Sequence, residues 1–150
     1  MSIVRSAESR DLPELARLFD LYRRFYEQAP DVEGALRYLG ARIANRESVI
    51  LVADGDDGSL AGFCQLYPSF CSVAARPIYV LYDLFVHGAV RRRGVARALM
   101  EAARARAIAD GKARMDLSTA KDNLKAQALY ESLGWKRDEV FYSYSLELES

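Results

Sequence analysis

The amino-acid sequence predicts an α/β fold, α+β in stricter schemes, with a mixed and mostly antiparallel central sheet that carries helices on both faces. Strand-like segments joined by a hairpin turn come early in the chain, and a strand–helix–strand unit follows them. The predicted order of elements is β-α-α-β-β-β-α-β-α-β-β. Of the 150 residues 51% are hydrophobic, and residues 1–150 are therefore predicted to form a single domain.

The chain opens with a predicted strand and two helices. Residues 2–6 are strand-like, and Asp11 is a predicted cap for the first helix. Pro13 fits the first turn of that helix, because its missing N–H has no helical partner there. Pro30 ends the helix, and a second one is predicted over about residues 31–45.

A hairpin follows the two helices. Residues 48–54 and 60–67 are strand-like, and the Asp-Asp-Gly sequence at 56–58 between them is typical of a turn. Proline cannot donate a hydrogen bond to a neighbouring strand, so Pro68 is predicted to end the second strand.

The strand–helix–strand unit occupies the middle of the chain. Residues 78–86 are rich in aromatic and β-branched side chains, which favour a buried strand. Apolar residues at helical spacing then predict a helix over about residues 93–110, closed by Gly111. Residues 115–118 form the next predicted strand.

The C-terminal part is predicted to contain one helix and two strands. The helix spans about residues 123–133 and stops at Gly134. Residues 136–141 and 142–148 are predicted to be two strands, and the stretch 141–148 alternates apolar with polar side chains. The last of them is a candidate edge strand that pairs between subunits, which predicts a homodimer.

The balance of charge limits the classes of partner. The chain has 21 basic and 21 acidic residues, so it lacks the broad positive surface that nucleic-acid binding requires, and we predict no such partner. No stretch approaches the roughly 20 apolar residues that cross a bilayer, and the N-terminus lacks a signal-peptide pattern. These features predict a cytoplasmic protein without a membrane partner.

The cysteines and the histidine make a metal centre improbable. Cys64 and Cys71 lack a CxxC spacing, which favours reduced structural residues over a disulfide or a metal site. His87 is the single histidine, which excludes a zinc centre with several histidines. We therefore predict no metal.

An arginine-rich turn joins the strand at 78–86 to the helix that follows. Its sequence is Arg91-Arg92-Arg93-Gly94, and the start of a helix offers N–H groups and a positive dipole end to an anion. Gly94 has no side chain to block close approach. The turn is therefore a candidate phosphate site, and a solvated basic surface patch is the alternative.

Asn123 and Tyr130 form a second candidate pair. They are seven residues apart, two helical turns, and so project from nearly the same side of the predicted helix. Asn123 offers amide donors and an acceptor, and Tyr130 has a phenol that can donate a proton. The alternatives are a helix cap for Asn123 and a core aromatic for Tyr130.

Taken together, these motifs resemble the GNAT superfamily of acetyl-coenzyme A-dependent N-acetyltransferases. Arg91-x-x-Gly94-x-Ala96 is similar to the pyrophosphate-binding signature of the family, in its variant with alanine as the last small residue. The segment from Asn123 to Trp135 is similar to the second family motif. The order of elements also matches, so the resemblance covers nearly the whole chain.

The resemblance implies which residues contact the coenzyme. Strand 78–86 separates from strand 115–118 and offers the pantetheine arm its backbone, and the amide of Leu84 polarises the thioester carbonyl. Tyr130 protonates the departing thiolate. The implied coenzyme contacts are Leu84, Phe85, Val86, Arg91, Arg92, Arg93, Gly94, Val95, Ala96, Arg97, Asn123 and Tyr130.

The proton on the acceptor amine needs a base, and Asp83 is the candidate. It interrupts an apolar strand close to the implied thioester position, although a structural aspartate is the alternative. His87 lies past the strand end, and bulk water is a further alternative. Several family members have a glutamate earlier on this strand, where this chain has Val80. The predicted acceptor contacts are Tyr22, Tyr26, Gln65, Tyr67 and Asp83.

The predicted function is transfer of an acetyl group from acetyl-CoA to a primary amine of a small molecule, such as a polyamine or an amino acid. The amine attacks directly in a ternary complex, and Tyr130 acts as the general acid. One alternative is a coenzyme A-binding sensor or assembly module without turnover. The other is an acyltransferase that uses a different acyl-CoA or a protein amine.

Overall fold

The computed structural model describes residues 3–88 and 94–149. The chain divides into two compact units, Met1–Ser118 and Thr119–Ser150. Among the described residues, the first contains a sheet with three α-helices, and the second contains one helix. The fold class predicted from the sequence is confirmed by this mixed sheet, while the single domain over residues 1–150 stays a prediction.

The sheet of the first unit has five strands that lie side by side in chain order. They are β1 (Ile3–Ser6), β2 (Val49–Asp54), β3 (Leu60–Cys71), β4 (Arg76–Val86) and β5 (Met115–Asp116). The first four are antiparallel to their neighbours, and β5 runs parallel to β4.

The helices of the first unit are α1 (Leu12–Phe25), α2 (Val32–Ala44) and α3 (Val95–Ala109), and a 3₁₀ turn at Ser9–Asp11 precedes α1. Helix α1 ends before Pro30, because Glu27 adopts the left-handed conformation at φ 64° and its N–H donates to Arg24.

The helices cover both faces of the sheet. Phe63 of β3 belongs to the core that α1 and α2 form with the sheet. Its neighbour Gly62 faces the other way, because side chains alternate along a strand. A Cβ at Gly62 would lie 3.4 Å from Leu99 of α3 and 2.7 Å from the carbonyl oxygen of Phe85. Glycine is therefore required where α3 packs on this face.

Strand β3 continues past Pro68, contrary to the sequence prediction. Pro68 lies opposite Tyr79 of β4, and the strand ends only at Cys71. The pairing of β3 with β2 ends at Leu66, so one edge of β3 beyond this point lacks a described strand neighbour. A residue without an N–H is tolerated at such an edge.

The second unit contains α4 (Leu124–Ser132) and no strand within its described residues. The two strands predicted at 136–141 and 142–148 are therefore not formed, and Phe141, Tyr142 and Tyr144 are exposed. An alternating pattern becomes a strand only when another strand pairs with it. The sequence pattern alone does not provide that partner.

Candidate active site

A buried amide–carboxylate pair lies at the centre of the sheet. Gln65 and Asp83 are opposite each other on β3 and β4, and Gln65 Nε2 donates to Asp83 Oδ2 at 2.7 Å. The Ser48 hydroxyl donates to Gln65 Oε1 at 2.7 Å. Because this hydroxyl occupies the carbonyl end of the amide, the NH₂ end is directed at the carboxylate.

Tyr22 of α1 lies on the other side of Asp83. Its hydroxyl makes a long hydrogen bond of 3.4 Å to the carbonyl oxygen of Tyr82. It is also near enough to the Asp83 carboxylate for each group to shift the pKa of the other. The carboxylate is thus held between an amide from β3 and a phenol from α1.

Burial raises the pKa values of both Asp83 and Tyr22. It raises the pKa of Asp83, and the hydrogen bonds from Gln65 and Tyr22 oppose that shift in part. Burial, followed by the negative charge of Asp83, also raises the pKa of Tyr22. Asp83 is therefore a stronger base than an exposed aspartate, and Tyr22 keeps its proton at neutral pH.

A β-bulge places Tyr82 next to this carboxylate. The register passes from Gln65↔Asp83 to Leu66↔Leu81, so Tyr82 is the additional residue of β4. In a regular strand Tyr82 and Asp83 would face opposite sides of the sheet. Here Asp83 contacts Gln65 and Tyr22, while the Tyr82 ring packs against another tyrosine on the same side, Tyr67.

Five tyrosines surround the Asp83 side of the sheet, and we call them the tyrosine cluster. The hydroxyls of the α2 and β3 members are 2.6 Å apart, and the β3 and β4 rings meet edge to face at 5.5 Å. The two α1 rings also meet edge to face, at 5.3 Å. The members are Tyr22 and Tyr26 of α1, Tyr38 of α2, Tyr67 of β3 and Tyr82 of β4. Burial raises the pKa of Tyr67, so this phenol also stays protonated.

A cavity of about 400 Å³ opens beside this cluster, between the end of α1 and the end of β4. The Phe85 ring on its wall is 6.0 Å from the ring of Tyr22. Asp20, which is buried, holds the Arg24 guanidinium at 3.3 Å. The cavity combines an apolar wall with the guanidinium of Arg24; its lining residues are Leu21, Arg24, Phe25, Phe85, His87 and Gly88.

The described pairing between β4 and β5 is short. Within the described part of the first unit, β5 pairs with β4 only at Tyr79 and Val80, four residues before Leu84. Leu84 itself lies opposite Cys64 on the β3 side. The described pairing with β5 therefore covers only the part of β4 before Leu84.

The start of α3 supplies the predicted anion site. Gly94 has φ 73°, a left-handed conformation that favours glycine, and α3 begins at Val95 directly after it. The N–H groups in the first turn of a helix have no partner inside the helix and attract anions. Arg91, Arg92 and Arg93 lie outside the described residues.

Asn123 and Tyr130 both belong to the second unit. Asn123 caps α4, because its Oδ1 accepts a hydrogen bond from the Ala126 N–H at 3.2 Å. Tyr130 is half-buried, and its ring centroid is 6.3 Å from that of Trp135. The cap is thus observed, and a coenzyme contact by either residue stays a prediction.

The two cysteines lie in different surroundings, since Cys64 is buried and Cys71 is partly exposed. Both are free, and burial raises the pKa of Cys64 to about 12, which excludes a thiolate nucleophile there at neutral pH. In the described ranges, no group of three or more histidine, cysteine and acidic side chains is arranged to hold a metal ion.

None of the described helices is long and apolar enough to cross a membrane.

Sequence reasoning missed four residues at this site. Ser48, Tyr38 and Tyr82 join the network around Asp83, and Arg24 lines the cavity. The helical spacing of Tyr38 gives a partial signal, because it faces the same core as Phe19, whose ring it stacks on at 5.7 Å. The bulge at Tyr82 has no signature in the sequence.

Comparisons with known proteins agree with this geometry. The sequence model described as "Acetyltransferase (GNAT) family" matches residues 15–135. The chain therefore belongs to the GNAT family of acetyltransferases. It is 43% identical over 145 residues to "Uncharacterized N-acetyltransferase YhfO" of Bacillus subtilis (strain 168), a match that covers 97% of each chain.

Solved structures show the same family fold. A crystal structure of a probable acetyltransferase has a TM-score of 0.92 and 38% identity, and the match covers 99% of each chain. The structure of AAC(6')-Iy with the bisubstrate analogue CoA-S-monomethyl-acetylneamine has a TM-score of 0.81 at 21% identity, over 98% of this chain and 99% of that one. At this identity the second likeness concerns the fold alone.

Proposed function

We propose that the protein transfers the acetyl group of acetyl-CoA to a primary amine of a small molecule, by direct attack in a ternary complex. The observation that carries this proposal is the buried Asp83 carboxylate, surrounded by tyrosines and followed directly by Leu84, four residues past the last described pair of β4 with β5. A base and an acyl-binding backbone are thereby adjacent.

Asp83 is the proposed general base for the acceptor. An alkylamine with a pKa of about 10.4 is neutral in only about 1 molecule in 2,500 at pH 7, which corresponds to about 4.6 kcal/mol. The raised pKa of Asp83 makes the carboxylate a better acceptor for that proton. Asp83 takes the proton of the ammonium form, the neutral nitrogen then bonds to the acetyl carbon, and the second proton that the nitrogen loses as the amide forms passes to water.

Tyr130 is the proposed general acid. The C–S bond breaks as the C–N bond forms, and the sulfur leaves with the electron pair. A thiol of this kind has a pKa of about 8.5, against about 10 for a tyrosine, so the thiolate is already a fair leaving group. Tyr130 therefore assists its departure by donating a proton and is not indispensable.

The residues around β4 and α3 suit acetyl-CoA, which supplies the activated acetyl group when bound. The Leu84 amide would polarise the thioester carbonyl. The start of α3 would bind the pyrophosphate through its dipole and backbone. The complete proposed set is Leu84, Phe85, Val86, Arg91, Arg92, Arg93, Gly94, Val95, Ala96, Arg97, Asn123 and Tyr130.

The acceptor is proposed to lie against the tyrosine cluster. Tyr22, Tyr26 and Tyr67 present rings and phenol groups that suit a cationic amine. Gln65 is fully buried between Ser48 and Asp83, which supports a role in positioning the carboxylate more than a contact with the acceptor. Homodimer formation and a cytoplasmic location remain predictions.

A panel of amines tests the proposed function. The protein is mixed with acetyl-CoA and, in turn, 1,4-diaminobutane, glycine, 2-phenylethylamine or a lysine peptide, and thiol release is followed. We expect release that depends on at least one small amine. If no amine raises thiol release above the amine-free rate while calorimetry shows that coenzyme A binds, the protein is a coenzyme A-binding sensor without turnover. Release with the peptide alone would indicate a protein acceptor, and a propionyl-CoA arm tests the donor.

A further inference from the structure

We propose that Tyr82, the additional residue of the β4 bulge, determines which acceptor amines the site prefers, and that it selects amines with an aromatic or other flat apolar group. This inference rests on the proposed function and assigns the substrate class within it. Tyr82 would contact the body of the acceptor, while Asp83 receives its amine.

The bulge accounts for the position of the ring. It brings two successive residues, Tyr82 and Asp83, to the same side of the sheet. The Asp83 side chain is 5% exposed, whereas that of Tyr82 is 67% exposed. The ring therefore offers an open surface directly beside the buried carboxylate that would meet the amine.

One contact orients the Tyr82 ring, and another holds its backbone. Tyr67 packs edge to face against it at 5.5 Å, and the Tyr67 hydroxyl is itself tied to Tyr38 at 2.6 Å. The Tyr82 backbone is held by the Tyr22 hydroxyl at its carbonyl oxygen. A ring oriented by a neighbouring ring loses less entropy when a ligand packs on it than an unsupported ring does, which makes it suitable for selection.

Tyr26 supplies a second exposed ring near the same carboxylate. It is 51% exposed, and its ring centroid is 5.3 Å from that of Tyr22. Tyr26 and Tyr82 also lie close enough to Tyr22, the phenol beside Asp83, for each to raise its pKa. Rings from α1 and β4 thus flank the approach to Asp83, and a flat group can pack between or upon them.

The charged groups beside the cluster affect whether an acceptor with one amine or with several amines fits the site. Asp83 provides the negative charge that the tyrosines surround. At the α2 side of the cluster, the Arg42 guanidinium lies 4.4 Å from the centre of the Tyr38 ring. Glu47 pairs with this guanidinium at 3.0 Å and offsets its charge in part, so the preference for an arylalkylamine over a polyamine rests mainly on the exposed rings of Tyr82 and Tyr26.

The test compares three acceptors: 2-phenylethylamine, n-butylamine and 1,4-diaminobutane. In the wild-type protein, kcat/KM is expected to be highest for 2-phenylethylamine. Tyr82→Ala should lower the ratio of kcat/KM for 2-phenylethylamine to kcat/KM for n-butylamine about 3- to 10-fold, mainly through a higher KM for the aromatic amine, which is the range for loss of an aromatic contact. Tyr82→Phe should retain the preference, because it keeps the ring.

Two further variants distinguish a change in acceptor preference from a defect in folding. Ile108→Ala removes an apolar side chain that is also 67% exposed, but from α3 on the other face of the sheet, and should leave all three acceptors unchanged. Tyr26→Ala provides a second reading of the same preference if Tyr82→Ala does not fold, as judged by thermal melting. It should lower the preference for 2-phenylethylamine in the same direction.

Two outcomes would overturn the inference, and they differ from failure of the proposed function. Equal kcat/KM for 2-phenylethylamine and n-butylamine in the wild type would show that no aromatic selection exists. A Tyr82→Ala variant with an unchanged preference would remove Tyr82 from it. If the wild type acetylates no amine at all, the proposed function fails and this inference fails with it.

Discussion

Gln65 and Asp83 face each other across β3 and β4, 2.7 Å apart and both buried, with the amide of Gln65 donating to the carboxylate. This pair joins the fold to the proposed chemistry. The carboxylate is removed from water, which raises its pKa, and the amide limits how far that pKa rises. Changes at either residue should therefore appear in the pH dependence of activity.

Asp83→Asn should lower kcat/KM by about 10²–10⁴-fold, the range for loss of a general base. The acid limb of the wild-type pH profile reports the raised pKa of Asp83 and should be absent from the variant. A variant with the same limb and the same rate as the wild type would show that water or another group removes the proton.

The free energy of unfolding of Asp83→Asn, relative to that of the wild type, should increase as the pH rises. The pKa of Asp83 is higher in the folded protein than in the unfolded chain, so the folded state binds more protons between those two values. Wild-type stability therefore falls as pH rises through that window. Urea unfolding at several pH values should show the stability of Asp83→Asn relative to wild type increasing over the window, and a constant difference would contradict this.

Gln65→Leu should move the acid limb of kcat/KM to higher pH. It removes a hydrogen bond that stabilises the charged carboxylate, and it should also destabilise the protein by about 1–3 kcal/mol. Ser48→Ala is the matched variant, because it leaves the amide in place but removes the hydroxyl that orients it. Its shift should have the same direction and a smaller size. An unmoved limb in Gln65→Leu would contradict a positioning role.

Tyr130→Phe should slow turnover by about 10²–10⁴-fold without abolishing it, provided that chemistry limits the rate. Rapid-quench measurement of a single turnover isolates that step. Tyr79→Phe is the control, since it removes a phenol that bonds Asp110 on the α3 side of the sheet and should leave the chemical step unchanged. Equal single-turnover rates for Tyr130→Phe and wild type would exclude Tyr130 as the acid.

Gly94→Ala should weaken coenzyme A binding. A Cβ there would meet nothing within 4 Å, so the effect comes from the left-handed backbone, which costs about 1–2 kcal/mol for other residues. Gly111→Ala, at φ 72° just after the same helix, has the same conformational problem away from the proposed phosphate site. Both variants should melt earlier, and calorimetry should detect weaker binding only in Gly94→Ala. Similar binding losses in both would indicate a general effect of folding.

The ion pair between Arg5 and Asp11 should weaken as the pH falls. Arg5 bonds both oxygens of Asp11, and the hydrogen bonds from Arg5 lower the pKa of Asp11 to about 2. A lowered pKa stabilises the fold above the unfolded value of about 3.9, and this contribution is lost as pH falls toward 2. Arg5→Met should therefore destabilise the protein by about 2 kcal/mol at pH 7 and less at pH 3. An equal loss at both pH values would contradict the linkage.

Local patterns predicted the elements better than the contacts between them. Helical spacing and glycine stops place α2, α3 and α4 within two residues of their observed ends. Asp83 was also recognisable, because a carboxylate inside an apolar strand needs a specific partner. Its partner Gln65 is 18 residues away, and only the strand register brings the two together.

The remaining differences arise from non-local structure. Asp11 was predicted to cap α1, but its carboxylate accepts hydrogen bonds from Arg5 and the Glu8 N–H. The position of Tyr82 depends on a bulge, which has no local sequence pattern. Pro68 stays within β3 because β2 ends earlier. Each outcome depends on which segments meet, and a sequence read residue by residue does not contain that information.

The most direct test follows the acetyl group itself. The protein is incubated with acetyl-CoA labelled in the acetyl carbon and 2-phenylethylamine or n-butylamine, and the labelled amine and the free thiol are quantified together. We predict one labelled N-acetyl product for each thiol released, with the rate lowered about 10²–10⁴-fold in Asp83→Asn. Thiol release without a labelled amine, or equal labelling by wild type and Asp83→Asn, would contradict an acetyl transfer in which Asp83 removes the proton.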